Sequence, residues 1–220
     1  MQPFEVQKMN RVRKSSRAAY DRKTVFAVLD AGFVTHAAFV AGDRPMVVPM
    51  VYGRIGETLY LHGARATRFV KALRAGAPVC LCVTHVDGLV LGRSAFHSSM
   101  NYRCVVVHGT AVETTDTQER EAAMAAITDH MVPGRWDEAR PTTAKELRAT
   151  SILRVTIEAA SCKHRSGPPV DEDEDYDLPV WAGVIPFMTV AGEPQDDGRL
   201  LPGVGLPDSV VRLVGAIGGR

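Results

Sequence analysis

Cysteine is scarce, with four in 220 residues, at positions 80, 82, 104 and 162. Cys80 and Cys82 stand two apart, which in a strand puts both on one face as small hydrophobes. A zinc site would want a second close pair, and the sequence has none. The cysteines are therefore expected to be reduced and structural. Charge of one sign is also missing: Lys plus Arg is 26 against 25 Asp plus Glu, a net charge of +1. No global field draws such a chain to nucleic acid or to a membrane surface. No apolar run approaches the length of a bilayer, and the basic opening MQPFEVQKMNRVRKSSR lacks the apolar core of a signal peptide. The expectation is a soluble, cytoplasmic protein that binds neither nucleic acid nor membrane.

Familiar catalytic signatures are absent too. None of the seven histidines forms the i, i+4 helical pair of a zinc protease, and there is no Gly-x-Ser-x-Gly, Walker loop or Rossmann fingerprint. The acidic run DEDEDYD (171–177) lacks the spacing and central glycine of a calcium loop and reads as a solvated segment. No metal site is expected, and no internal repeat is present.

What is there is a chain 45% hydrophobic, enough for one sizeable core without disulfides. Asp21 caps a helix in which Val25, Val28 and Leu29 share a face, with Gly32 at its C-terminal end. Strands follow at 33–40, 45–53 and 58–63, joined by short turns. Residues 64–75 change to a helical period that stops at Gly76. Asp87-Gly88 predicts a hairpin. A strand through 105–107 continues to about Glu113, and helices open at Asp116/Glu119 and Thr143/Glu146 as capping boxes. A last strand covers 151–160. About six strands with peripheral helices suit a closed or split barrel.

Four places could carry chemistry. The helix from residue 64 follows Gly63 and carries Thr67 and Arg68 in its first turn, with Arg65 and Lys71 near, as a phosphate site would; a solvated basic face explains the same pattern. Pro49 interrupts an apolar strand, which places that strand at an edge or a bulge. Tyr60 and His62 share a strand face. His97 to Arg103 concentrates side-chain donors before a β-branched strand, as a ligand site or a solvated loop would. Beyond them, Trp181 among small apolar residues points to a docked segment.

Taken together, LYLHGARATRFVKALRAGAPVCLCVT, DGLVLGRSAFHSSMNYRCVVVHGTA and GPPVDEDEDYDLPVWAGVIP resemble the flavin-nucleotide-binding branch of the pyridoxamine 5′-phosphate oxidase-related proteins, which includes the nitroimidazole-resistance (Nim) proteins. The resemblance implies a mainly β (α+β) fold, a six-stranded antiparallel Greek-key split barrel with peripheral helices, over residues 13–187, followed by a Gly/Pro-rich tail with a short helix at 188–220. It implies a homodimer with FMN sites at the interface. The backbone of Val48, Pro49 and Met50 would meet the flavin ring, while Leu61, His62, Gly63, Thr67, Arg68 and Lys71 would surround its phosphate. Ser99, Asn101, Arg103 and Cys104 would add contacts, with cysteine at 104 where the family usually has serine. His97 or Tyr102 would give a proton to a small-molecule substrate in a nitroreductase- or flavin-reductase-like reaction. The substrate-phosphate residues of true pyridoxamine phosphate oxidases are not recognisable, which argues against vitamin salvage. The alternative is a haem-binding or flavin-sequestering protein without turnover, with His62, His97 or His108 as axial ligand.

Overall fold

The protein is described by a computed structural model covering residues 1–217. After a two-residue strand β1 (Ala18–Ala19), helix α1 (Arg22–Ala31) opens where Asp21 accepts a hydrogen bond from the Thr24 N–H at 2.8 Å. Strands β2 (Val34–Ala41), β3 (Arg44–Val51), β4 (Gly53–Ile55) and β5 (Thr58–Ala64) follow, then helix α2 (Arg68–Leu73). The two longest strands come next, β6 (Ala75–Leu91) and β7 (Ser99–Glu113). Helices α3 (Thr117–Met131), α4 (Arg135–Glu138) and α5 (Ala144–Ala149) precede β8 (Thr150–Thr156) and β9 (Ala159–Arg165). Strand β10 (Gly183–Pro186) and helix α6 (Asp208–Ile217) complete the described chain. The last three residues of the expected 188–220 tail lie outside the described residues.

The sheet runs β3-β2-β6-β7-β8-β5-β4, with β9 also on β7 and β10 on β6. The described pairings are antiparallel. Its two ends, β3 and β4, are separated in sequence by Tyr52 alone, so the sheet must bend until its ends meet. Between β2 and β6 the ladder covers only His36–Ala38 against Cys80–Cys82, which leaves the sheet split. Alternation puts Leu59, Leu61, Leu81, Val83, Val105, Val107, Leu153 and Val155 inside. Val25 and Leu29 of α1 and Phe69, Val70 and Leu73 of α2 plug that core from its ends. Each such side chain contributes about 1.5–3 kcal/mol of hydrophobic stabilisation when fully buried.

Tyr52 is the joint of the fold. It is fully buried, donates its hydroxyl hydrogen bond to the Leu29 carbonyl, and has its ring 4.5 Å from that of His130 on α3. Burial raises its phenol pKa, so it stays a donor. Gly53 follows because α3 crosses there: a Cβ at this position would lie 2.5 Å from the backbone of Ala126 and Ile127.

Several expectations need correction. Asp87-Gly88 is not a hairpin turn. β6 runs through it for 17 residues, with a bulge between Val86 and Gly88 in its pairing with β7. Gly88 is needed because β10 passes close by, with the Ile185 carbonyl 2.6 Å from where a Cβ would stand. The reversal lies instead at 92–98, around a short 3-10 turn at Ala95–His97. The predicted strands 45–53 and 151–160 each divide in two, at Tyr52 and at 157–158, and the helix of 64–75 shortens to α2. At Asp116 the N-cap bond is present, but the Glu119 carboxylate turns to Tyr60 and Thr114 instead of closing the box. The Thr143/Glu146 box is complete.

Candidate functional site

The residues singled out in the sequence fall into three groups on different strands. Among the described residues strand β3 pairs only with β2, so Pro49 does sit on an edge strand. Val48 and Met50 are half-buried against the core, while Val47 and Pro49 face outward. The outer backbone side of β3 is thus available to an incoming group.

The second group lies on β5 and α2. Leu61 is fully buried in the core. Gly63 is close-packed, a Cβ there lying 3.0 Å from Val70 Cγ2. The Thr67 hydroxyl caps α2, accepting from the Val70 N–H at 3.3 Å, and donates to the Ala64 carbonyl at 2.9 Å. Arg68 and Lys71 are exposed; in this stretch, among the described residues, Arg65 is the cation that reaches a carboxylate, Glu113 at 3.7 Å. His62 is different in kind. It points away from Leu61, its ring is half-buried, and its Nδ1 is buried without a hydrogen-bond partner. Burial lowers its pKa and favours the neutral imidazole.

The third group precedes and enters β7, and most of its polar atoms are engaged within the chain. His97 Nε2 is 3.5 Å from Glu172 Oε1. Asn101, only 9% exposed, donates to the Gly167 carbonyl at 3.1 Å and accepts from Arg165 Nη1 at 2.5 Å. Arg103 grips Asp87 with two bonds of 3.0 and 2.8 Å. The Lys163 ammonium lies 5.7 Å from the centre of the half-buried Tyr102 ring. Ser99 is exposed. Cys104 lies against Thr84 and Cys82. The polar run 97–103 is therefore largely a clasp that fastens the 165–172 segment to the sheet.

That segment is more than solvated acid. Asp171 is buried: it accepts from the Arg93 N–H at 2.9 Å and from Arg93 Nη1 at 3.1 Å. The Arg93 guanidinium also covers Tyr176, 4.6 Å from its ring centre. The remaining acids of 171–177 do rim the surface. The segment docks through β10 on β6, whereas Trp181 itself is 65% exposed.

Two clefts adjoin these groups. One, of about 780 Å³, opens where β2 and β6 part company. His36, Thr84, His85, Asp87 and Arg103 meet Phe187, Met188 and Ile217 there. It has the size of a small-molecule site. Of the predicted site residues Arg103 lines it; His36 and His85 are additions that strand alternation alone does not mark. The other, of about 360 Å³, is lined by Cys104 and by Arg11, Arg13, Lys14, Arg17 and Lys163. It gives the basic N-terminal run a place and a common direction. Among the described residues no helix is long and apolar enough to cross a membrane, and no cluster of three or more His, Cys, Asp or Glu could hold a metal ion.

The profile of a protein family described as pyridoxamine 5′-phosphate oxidase matches residues 21–164. Two solved structures resemble nearly the whole chain. The flavocytochrome Anf3 from Azotobacter vinelandii is 38% identical, with a TM-score of 0.88 over 94% of this chain and 96% of that one. The FAD and haem binding protein from Mycobacterium smegmatis is 35% identical, with a TM-score of 0.85 over 92% of this chain and 98% of that one. A FAD-binding protein from Mesorhizobium loti, 22% identical with a TM-score of 0.50 over 68% of this chain and 98% of that one, shares the fold. No curated protein sequence matches the chain.

Proposed function

Because this chain belongs to the pyridoxamine 5′-phosphate oxidase family, we propose that it holds a flavin nucleotide and a haem together and acts as an oxidoreductase of small molecules. The observation that carries this is His62, in a chain similar over nearly its full length to two haem- or cytochrome-type proteins. Of the two histidines among the described residues whose Nδ1 is buried without a partner, His62 and His164, it is the one on β5 beside the Thr67–Lys71 stretch, and burial favours its neutral form. A buried imidazole nitrogen without a partner is costly unless something completes it, and iron ligation is one way to do so. His62 is preferred over His97, whose Nε2 lies 3.5 Å from the Glu172 carboxylate.

A flavin accepts an electron pair and passes electrons singly, which is the chemistry that joins a two-electron substrate to a one-electron haem. The chain's own residues bind and orient. The free edge of β3 at Val48–Met50 suits a ring that needs backbone donors and acceptors. Arg68 and Lys71, exposed beside the Thr67 cap, fit a phosphate. The cationic cleft at Arg11, Arg13, Lys14, Arg17 and Lys163 fits further anionic groups, which the pyrophosphate of FAD and the propionates of haem both supply. His36 and His85 line the larger cleft, His85 with its Nε2 3.0 Å from the Val28 carbonyl.

The reading includes a homodimer, supported by Val40 on β2 and Val47 on β3, 63% and 60% exposed at the open end of the sheet. Sedimentation as a single chain would overturn that part. The flavin test is direct. Heat should release flavin from the purified protein, and chromatography should identify it as FAD, as in the Mycobacterium smegmatis relative, where the sequence alone suggests FMN. Arg68→Ala should retain the fold and lose flavin at least tenfold more readily, since a charge-assisted phosphate contact is worth about 1.5–3 kcal/mol. Unchanged retention would remove Arg68 from the phosphate site.

A further inference from the structure

Cys82 and Cys104 stand on the outer face of neighbouring strands β6 and β7. The register sets Thr84 opposite Cys104 and Val106 opposite Cys82, so the two cysteines are diagonal neighbours. Their sulfurs are 3.7 Å apart. The Thr84 hydroxyl lies 3.2 Å from Cys104 Sγ and 3.6 Å from Cys82 Sγ, closing a triangle of polarisable groups. Their chain neighbours Leu81, Val83 and Val105 are sealed in the core, whereas both cysteines are half-buried. Cys104 also lines the cationic cleft, a route for a small oxidant to reach the sulfurs.

The pair is chemically unequal. Hydrogen bonds from Cys104 and Thr84, with His36 across the strand on β2, lower the Cys82 pKa. The same hydrogen bond and burial raise that of Cys104. One sulfur thus carries thiolate character while the other holds the proton between them.

We propose that Cys82 and Cys104 form a reversible dithiol–disulfide site, in which Cys82 reacts with a hydroperoxide and Cys104 resolves the product. The Cys82 thiolate attacks one peroxide oxygen; the O–O bond breaks, and the leaving alkoxide or hydroxide takes up a proton as alcohol or water. Cys82 is then a sulfenic acid. Cys104 gives up its proton, its sulfur displaces the hydroxyl as water, and the S–S bond forms. Two thiols lose two electrons, and the peroxide gains them. A small dithiol reverses the change by exchange. The sulfurs must draw in from 3.7 Å to about 2.05 Å, and because diagonal neighbours in a regular ladder have Cα atoms about 7–8 Å apart, β6 and β7 must shift locally as the bond forms. The sulfur geometry does not depend on the flavin and haem reading, but the oxidant shares its route with the anionic cofactor groups that reading places in the same cleft.

The test uses the full chain as purified, reduced, freed of reductant and exposed to equimolar hydrogen peroxide. Titratable thiols in the denatured protein should fall from four to two. Mass should fall by two hydrogens, and non-reducing peptide mapping should join the fragment bearing Cys82 to the one bearing Cys104. Dithiothreitol should restore all four thiols. Cys104→Ser should instead accumulate a sulfenic acid at Cys82 that dimedone traps, and Cys82→Ser should form no link. Four thiols after peroxide, or a link that persists in Cys82→Ser through Cys80, would overturn the proposal. Peptide mapping of the unsubstituted protein decides the matter even if a variant fails to fold.

Discussion

His62→Ala should purify without a Soret band while keeping the flavin absorption and nearly the wild-type melting midpoint. The expected contrast is large for haem and small for stability because of how the ring sits. Its neighbours on the inner face, Leu59 and Leu61, carry the packing of β5. His62 faces the other way, with Nδ1 hydrogen-bonded to nothing. Truncation therefore breaks no bond to that atom and removes an unsatisfied buried group; a stability change within about 1 kcal/mol is expected. Loss of the imidazole would leave haem without its anchor on β5. A Soret band undiminished in His62→Ala would show that the histidine is structural and would move the ligand to His97 or His108. Visible spectra of the two proteins at matched concentration decide it.

Asp171→Ala should be strongly destabilising, by about 3–5 kcal/mol, the range for breaking a buried ion pair from one side. The Asp171 side chain is wholly inaccessible, and it satisfies both the backbone N–H and the guanidinium of Arg93. Without it, Arg93 retains a charge whose Nε already lacks a partner, over Tyr176. Arg93 remains 22% exposed, so water offsets part of the loss and the lower end of the range is expected. Asp171→Asn, which keeps an acceptor for the N–H, should cost less. Urea melts give both values, and limited proteolysis should show the segment 166–187 becoming the first to be cut. A change below about 1 kcal/mol would contradict the role of Asp171 as the buried anchor of this segment.

Local chemistry is what the sequence makes legible. Asp21, Asp116 and Thr143 announce their helices because capping is settled within three residues, and all three N-cap bonds are present. Pro49 announces an edge because proline has no N–H to donate to a ladder. Asp87-Gly88 misleads because the same dipeptide serves a turn or a bulge. The deciding contact is β10, about a hundred residues away, crossing over Gly88. The run HSSMNYR reads as a ligand site because side-chain donors look alike whether they face a cofactor or another segment. Here Asn101 and Arg103 face Gly167 and Asp87. His62 is among the sequence candidates, but the orphaned nitrogen that sets it apart from His97 and His108 is a property of packing, which no spacing reveals. Likewise the cations of the N-terminal run look merely basic until the fold gathers Arg11, Arg13, Lys14, Arg17 and Lys163 around one cleft.

The most direct test of the central claim, that one chain carries both flavin and haem, is the visible spectrum of the protein as purified from cells supplied with iron and riboflavin. The expected result is a sharp Soret band superimposed on the two broad bands of a flavin, with FAD in the supernatant after heating. A protein that still lacks either band after incubation with haem and flavin would contradict it.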